Sequence, residues 1–434
     1  MTAVVGLLNK RGAAIAADSA VTRNGGYKYT KNGNKMIRMS NTLPISVMLT
    51  GNGAFLRTQW DIIVRHYRQH RGGIKHETVE ACIHDFFKYI ADNKLFCRKE
   101  IIEQYINYYL DELFQNADKS VNHDSSKRDD DGKLISPKKY QKEFLKILSA
   151  YRKSWTKDGV SPQFKGYTSE QFHSYAGQYV DKFLSEKCFK DGSCCFYDQY
   201  PKDVIDSIRN DFEHTFMIML THRREDATLI FTGYGQHQKY PSLVSAAVFE
   251  GFDNRVNYHI RPKDIICISD ERPVAICPFA QIDVIKSILR GLHASFSEPV
   301  CREDRDTFYF NRPFYLEEGE EPGIDYQEFQ KLLNEVKVDD LNTKFIKDGN
   351  KYLDKSQAKW EKALENYDLL AMSALAQSLI DLTGFHRILH FEPEGVGGPV
   401  DLAVISKSEG FTWLSRKSWY HHKDIGGQYG ILGV

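Results

Sequence analysis

The apolar positions of this chain change period in blocks. Ala3–Leu8 and Ala13–Ala17 are short apolar runs separated by the turn Lys10–Gly12, and Ile45–Leu49 is a third run that stops at Gly51, which predicts strands and two hairpins. After Gly53 the spacing becomes helical. Phe55, Trp60, Ile63, Val64 and Tyr67 share one face, and Val79, Cys82, Ile83, Phe86, Phe87 and Ile90 share another. Helical spacing continues through Ile101–Phe114, Phe144–Trp155, Phe172–Leu184 and Val204–Leu220, and the polar run Asn116–Lys139 reads as a loop. Strand patterns return at Thr228–Thr232, Leu243–Phe249 and Arg255–Ile260, followed by a helix over Gln281–Leu292. Beyond a charged stretch from Ser295 to Lys362, Leu369–Leu382 predicts a helix, and Arg387–Phe391, Val400–Ile405 and Phe411–Leu414 predict strands.

Two sheets packed face to face, with a helix pair on each outer surface, would bury every apolar face in that order of elements. The expected fold class is therefore α+β, a four-layer αββα sandwich. A single domain over residues 1–434, carrying a helical insertion at 96–222 and a second insertion at 293–365, accounts for the length.

Composition narrows the function classes. Hydrophobic residues at 41% and aromatics at 13% supply a substantial core. Lys+Arg and Asp+Glu both number 58, so no global field gathers nucleic acid or anionic lipid, and neither is expected as a partner. No apolar run is long enough to span a bilayer, and Ala3–Leu8 is cut by Lys10 and Arg11 before a signal-peptide core could form, so the expected location is the cytoplasm, away from membranes. The eight cysteines are scattered and read as free thiols. Cys188, Cys194 and Cys195 lack a Cys-x-x-Cys pair and the histidines lack metal spacing, so no metal or cofactor is expected.

Candidate chemistry lies near the amino end. Met1 before the small Thr2 is expected to be trimmed, leaving a residue that carries a nucleophilic hydroxyl and a basic amine together. An α-amino group titrates near roughly 7.7–8.0, so a large minority is neutral at physiological pH and can take the hydroxyl proton. Lys35 would favour the neutral amine by its charge, and Asp18 would hold that lysine in place. The backbone N–H of Gly51, in a turn before a helix, could donate to an oxyanion. Taken alone, Asp18 and Lys35 read as a surface ion pair between adjacent strands, and Gly51 as an ordinary turn.

Taken together, Thr2-Ala3-Val4-Val5-Gly6, Ala16-Ala17-Asp18-Ser19, Lys35-Met36-Ile37-Arg38 and Leu49-Thr50-Gly51-Asn52 resemble the proteasome β-subunit family, its bacterial HslV- and Anbu-like members above all. Near the other end Gly395-Val396-Gly397-Gly398-Pro399-Val400 is similar to the Ser-Gly-Gly segment that leads into a strand in that family. The likeness covers about residues 2–92, 227–291 and 366–415. It implies an N-terminal-nucleophile (Ntn) fold, a threonine nucleophile flanked by an aspartate and a lysine, cleavage of peptide bonds in a polypeptide substrate, a homo-oligomeric ring and an ATPase unfoldase partner.

Two family features differ. The serine before the third helix corresponds to Ala275-Ile276-Cys277-Pro278-Phe279, where Cys277 reads as a packed thiol; the aspartate near the final glycines corresponds to Glu392 or Glu394, Glu392 being the better candidate to orient the amine. Two other readings of the same fold follow. One is a catalytically inactive scaffold subunit, and the other is an Ntn amidase acting on a small molecule.

Overall fold

The computed structural model describes residues 2–22, 28–30, 33–122, 137–186, 202–290, 355–389 and 397–417. In chain order the strands are β1 (Ala3–Asn9), β2 (Gly12–Ala17), β3 (Val21–Thr22), β4 (Lys28–Thr30), β5 (Met36–Arg38), β6 (Ile45–Gly51), β7 (Ala54–Phe55), β8 (Thr58–Gln59), β9 (Ala227–Gly233), β10 (Ser242–Phe252), β11 (Arg255–His259), β12 (Ile265–Cys267), β13 (Val274–Ala280), β14 (Asp401–Ser406) and β15 (Gly410–Ser415). The helices are α1 (Trp60–Arg71), α2 (Val79–Asp92), α3 (Lys99–Asn122), α4 (Pro137–Asp158), α5 (Ser169–Glu186), α6 (Lys202–Thr221), α7 (Ile282–Arg290) and α8 (Leu369–Leu389). The protein is thus mixed α and β with antiparallel pairing. Among the described residues no helix is long and apolar enough to cross a membrane.

The chain divides into two compact units, Met1–Asn32 with Ser269–Val404, and Gly33–Ile268 with Ile405–Val434. The first contains β13, β1, β2 and most of β14, neighbours in that order in one sheet. The β1–β2 hairpin turns at Lys10-Arg11, with Asn9 opposite Gly12. Ala3, Val5, Leu7, Ala14 and Ala16 pack into one core with Met372, Ala376, Leu379 and Ile380 of α8 and Ile285 and Leu289 of α7. Alternation along a strand sends the next residues to the opposite face. That face, carrying Val4, Leu8 and Ile15, is also fully buried.

The second unit is built on the sheet β11-β10-β9-β6-β5. Its core joins Val47, Leu49, Leu229, Phe231, Val244 and Val248 to Trp60, Ile63 and Val64 of α1 and to Cys82, Ile83, Phe86 and Phe87 of α2. The same core runs without a break into the inserted helices, through Leu110 and Phe114 of α3, Phe144 and Leu148 of α4, Ala176 and Val180 of α5, and Phe212 and Phe216 of α6. Here too Met36, Met48, Ile230 and Leu243 make a second buried face outside that core.

Four expectations are corrected. The polar run after Asn116 is not all loop, because α3 continues to Asn122 with Ala117 and Val121 buried in register with Leu110 and Phe114. Val274–Ala280 is a strand that was not foreseen. It pairs antiparallel with β1 along its whole length, and Pro278 is tolerated because β13 ends the sheet order. Arg387 does not begin a strand: α8 runs on to Leu389, where Thr383 donates its hydroxyl back to the Leu379 carbonyl at 2.7 Å and Arg387 reaches Asp283 of α7. Gly51 does not start a helix, since the β7–β8 ribbon separates it from α1. Cys82, Cys97 and Cys277 are thiols. Cys188, Cys194, Cys195 and most of the 293–365 insertion lie outside the described residues.

Candidate active site

Thr2 stands half-buried immediately before β1, and Asp18 immediately after β2, fully buried. The hairpin register places them at the same end, since Val4 faces Ala17. The Asp18 N–H donates to the Ala3 carbonyl at 3.0 Å, and the Ala3 N–H returns the contact to Asp18 Oδ1 at 2.9 Å. The peptide that joins Thr2 to Ala3 is therefore pinned by the aspartate. The other carboxylate oxygen, Oδ2, accepts from Ala20 N–H at 3.2 Å and from Gly397 N–H at 3.1 Å.

The Gly397-Gly398-Pro399 segment is stitched to the same place twice more. Ser19 N–H donates to the Gly397 carbonyl at 3.3 Å, and the Ser19 hydroxyl donates to the Pro399 carbonyl at 2.6 Å. Gly397 and Gly398 have φ of +141° and +82°, backbone that side-chain-bearing residues seldom adopt, so the glycine pair is what lets the chain approach Asp18 before it enters β14.

Lys35 and Gly51 belong to the second unit. Lys35 precedes β5 and is only 7% exposed, and its carbonyl accepts the Leu49 N–H at 2.9 Å. With Met36 opposite Met48, Lys35 falls opposite Leu49, two residues from Gly51 on β6. Gly51 closes β6 against Ala227 with φ +79°, and a Cβ there would lie 2.4 Å from the Asp226 carbonyl oxygen. The next residue, Asn52, donates its N–H to that same oxygen at 2.7 Å.

The structure thus brings Thr2 together with Asp18 in one unit, and Lys35 together with Gly51 in the other. Asp18 and Lys35 are both buried and are not surface charges. Met1, Glu392 and Glu394 lie outside the described residues. Cys277 faces Gly6 in the β1–β13 ladder, and burial pushes its thiol up to about 12, with Arg272 opposing, which leaves it a packed thiol and a poor nucleophile.

Sequence reading did not foresee a buried carboxylate, Glu250, inside the apolar strand β10. Its signal was one acidic side chain in an otherwise apolar and small-residue run. Burial raises the Glu250 pKa to about 7; the Leu56 N–H opposes that rise, Asp226 adds to it, and the Tyr105 hydroxyl opposes it.

No family model matches the chain, and no curated protein matches it.

Proposed function

We propose that the protein is a proteasome-type Ntn hydrolase that cleaves peptide bonds through an acyl-enzyme on Thr2. The observation that carries this reading is the buried Asp18 carboxylate, which holds the Thr2–Ala3 peptide through Ala3 N–H and the Gly397 backbone through its other oxygen. Such a clamp fixes the peptide from which Thr2 projects, a first part of the positioning that an intramolecular nucleophile and base require. The four-layer αββα Ntn sandwich is the fold that goes with this reading. Each sheet supports it by carrying helices against one face and a second buried apolar face outside that core.

In the proposed reaction the Thr2 amine takes the hydroxyl proton as Oγ1 bonds to the substrate carbonyl carbon, and the C=O electron pair moves onto oxygen. The family resemblance assigns the oxyanion donor to the Gly51 N–H and the charge that would favour the neutral amine to Lys35. Collapse re-forms the carbonyl and breaks the C–N bond, and the leaving amine takes the proton from the Thr2 ammonium. Water then attacks the ester by the same proton route and frees the hydroxyl.

The test is covalent labelling by a peptide epoxyketone or β-lactone, read by intact mass. The reading requires Thr2 as the free amino terminus of the labelled species and loss of the label in Thr2→Ala. Label that persists in Thr2→Ala, or that sits on Cys277, overturns the nucleophile. An unlabelled wild-type protein with an intact Thr2 terminus favours the scaffold reading instead.

A further inference from the structure

Two two-residue hairpins in the second unit share one backbone geometry but not one chemistry. In β10–β11 the turn is Asp253-Asn254, with φ of +48° and +54°; in β7–β8 it is Leu56-Arg57, with φ of +44° and +64°. Left-handed backbone at both central residues suits Asn, Asp and Gly, and is strained for leucine and arginine. Asp253-Asn254 therefore needs little outside help. Leu56-Arg57 needs a restraint, and the structure supplies one.

The Leu56 N–H donates to Glu250 Oε2 at 3.2 Å. The Tyr105 hydroxyl of α3 acts on the same carboxylate and opposes the rise of its pKa, and the Arg57 backbone acts on that hydroxyl in turn. The Leu56 amide of the strained turn is thus held by the buried Glu250 of β10, beside the half-buried Tyr105 of the helical insertion. Phe55, the residue before the turn, lies against Gly251, where a Cβ would come 2.9 Å from its ring edge. The turn follows Gly51 closely: Trp60 N–H donates to the Gly53 carbonyl and the Trp60 indole N–H to the Asn52 carbonyl, each at 3.1 Å.

We propose that Glu250, with Tyr105 of the helical insertion beside it, is a latch that holds the strained Leu56-Arg57 turn closed and so positions the segment following Gly51. The consequence for catalysis rests on the reading of Gly51 given above; the latch itself does not. The titratable groups that interact with the carboxylate are Tyr105 and Tyr109 from α3, Cys97 from the preceding loop and Asp226 before β9, while Arg57 of the turn acts on Tyr105 and Arg224 acts on Tyr109 and Asp226. Asp226 repels charge on Glu250, and the one nearby arginine head that stacks, Arg224, lies over the Phe249 ring 4.4 Å from its centroid.

The sign of the pH response follows from burial. Closed, Glu250 titrates near about 7; opening the turn admits water and returns it toward the ordinary carboxyl range. Ionisation therefore favours the open turn, and the latch loosens as pH rises.

Amide-exchange mass spectrometry of the full chain, corrected for intrinsic exchange, tests this at pH 6 and pH 8. The opening equilibrium for peptides spanning 52–59 should rise about tenfold between the two pH values in the wild type, and should be independent of pH in Glu250→Gln, which keeps an acceptor for Leu56. Tyr105→Phe, a milder change, should lower protection of 52–59 at both pH values and leave β9 peptides unchanged. A wild type with no pH response, a response retained in Glu250→Gln, or a change spread evenly over β9 and β10 overturns the latch. If Thr2 never takes the probe but the exchange behaves as stated, the hydrolase reading fails and the latch stands.

Discussion

Asp18 and Gly397, 379 residues apart, are joined by one hydrogen bond of 3.1 Å from the Gly397 N–H to Asp18 Oδ2. That bond closes a clamp whose other jaw is Ala3 N–H, so removing the carboxylate should be felt at both ends. Asp18→Ala leaves three backbone donors, two buried and one half-buried, without their acceptor. At about 1–3 kcal/mol for each stranded donor, we expect a loss of roughly 3 kcal/mol or more, measured by denaturant unfolding, together with loss of Thr2 labelling.

Lys35→Ala should slow single-turnover acylation of Thr2 by at least roughly a hundredfold, the order lost when a positioned charge is removed. Lys35→Arg should recover little, because a planar guanidinium does not occupy the space of a compact ammonium at a site this buried. Acylation at near-wild-type rates in both variants would return Lys35 to a packing role.

Arg57→Gly should stabilise the protein by roughly 0.5–1 kcal/mol, since glycine adopts φ +64° without the steric cost and the arginine side chain is exposed. Asn254→Gly, at the matching position of the other hairpin, is the control and should change the unfolding midpoint little, because asparagine already tolerates φ +54°.

Glu250→Gln should also change the pH profile of global stability. The folded pKa lies above the ordinary value, so the group's contribution is fully present below about 4.5 and is lost as pH rises through about 7. The variant should therefore gain on the wild type across that window, by an amount on the order of 3 kcal/mol at pH 8. A difference between the two that does not vary between pH 4 and pH 8 would contradict the buried carboxyl.

Alkylating reagents should leave Cys277 unmodified in the native protein and modify it only on unfolding, because the thiol is buried and poorly ionised. Native-state modification would reopen Cys277 as a nucleophile.

Most of the elements were legible because their apolar periods are long. Phe86 and Phe87 on α2, or Leu229 and Phe231 on β9, announce a buried face by spacing alone. What escaped was decided by partners. β13 is as long as β1 but is interrupted by Pro278 and so does not read as a strand, yet β1 pairs with it from Ala3 to Asn9. The last turns of α8 resemble a β-strand in composition and are held helical by Thr383 and by Arg387 on Asp283. At the candidate site the pattern of small residues at Ala16-Ala17-Asp18 and Gly397-Gly398 was visible. The burial of Asp18 and Lys35 was not, because each looks like a solvent-facing charge at a strand end.

The discontinuity of the first unit sets a timetable for synthesis. β1 and β2 leave the ribosome early, but the strand beside β2 in the sheet, β14, begins only at Asp401. At about 5–20 residues per second, Asp18 waits on the order of 20–75 s for Gly397 to be made. Throughout that interval the apolar hairpin Ala3–Ala17 lacks two of its covers, α8 and β14, and must be shielded by other means. The aspartate clamp beside Thr2 is consequently a late contact of the nascent chain, and until Gly397 has been made a ribosome-bound chain carries Thr2 without it.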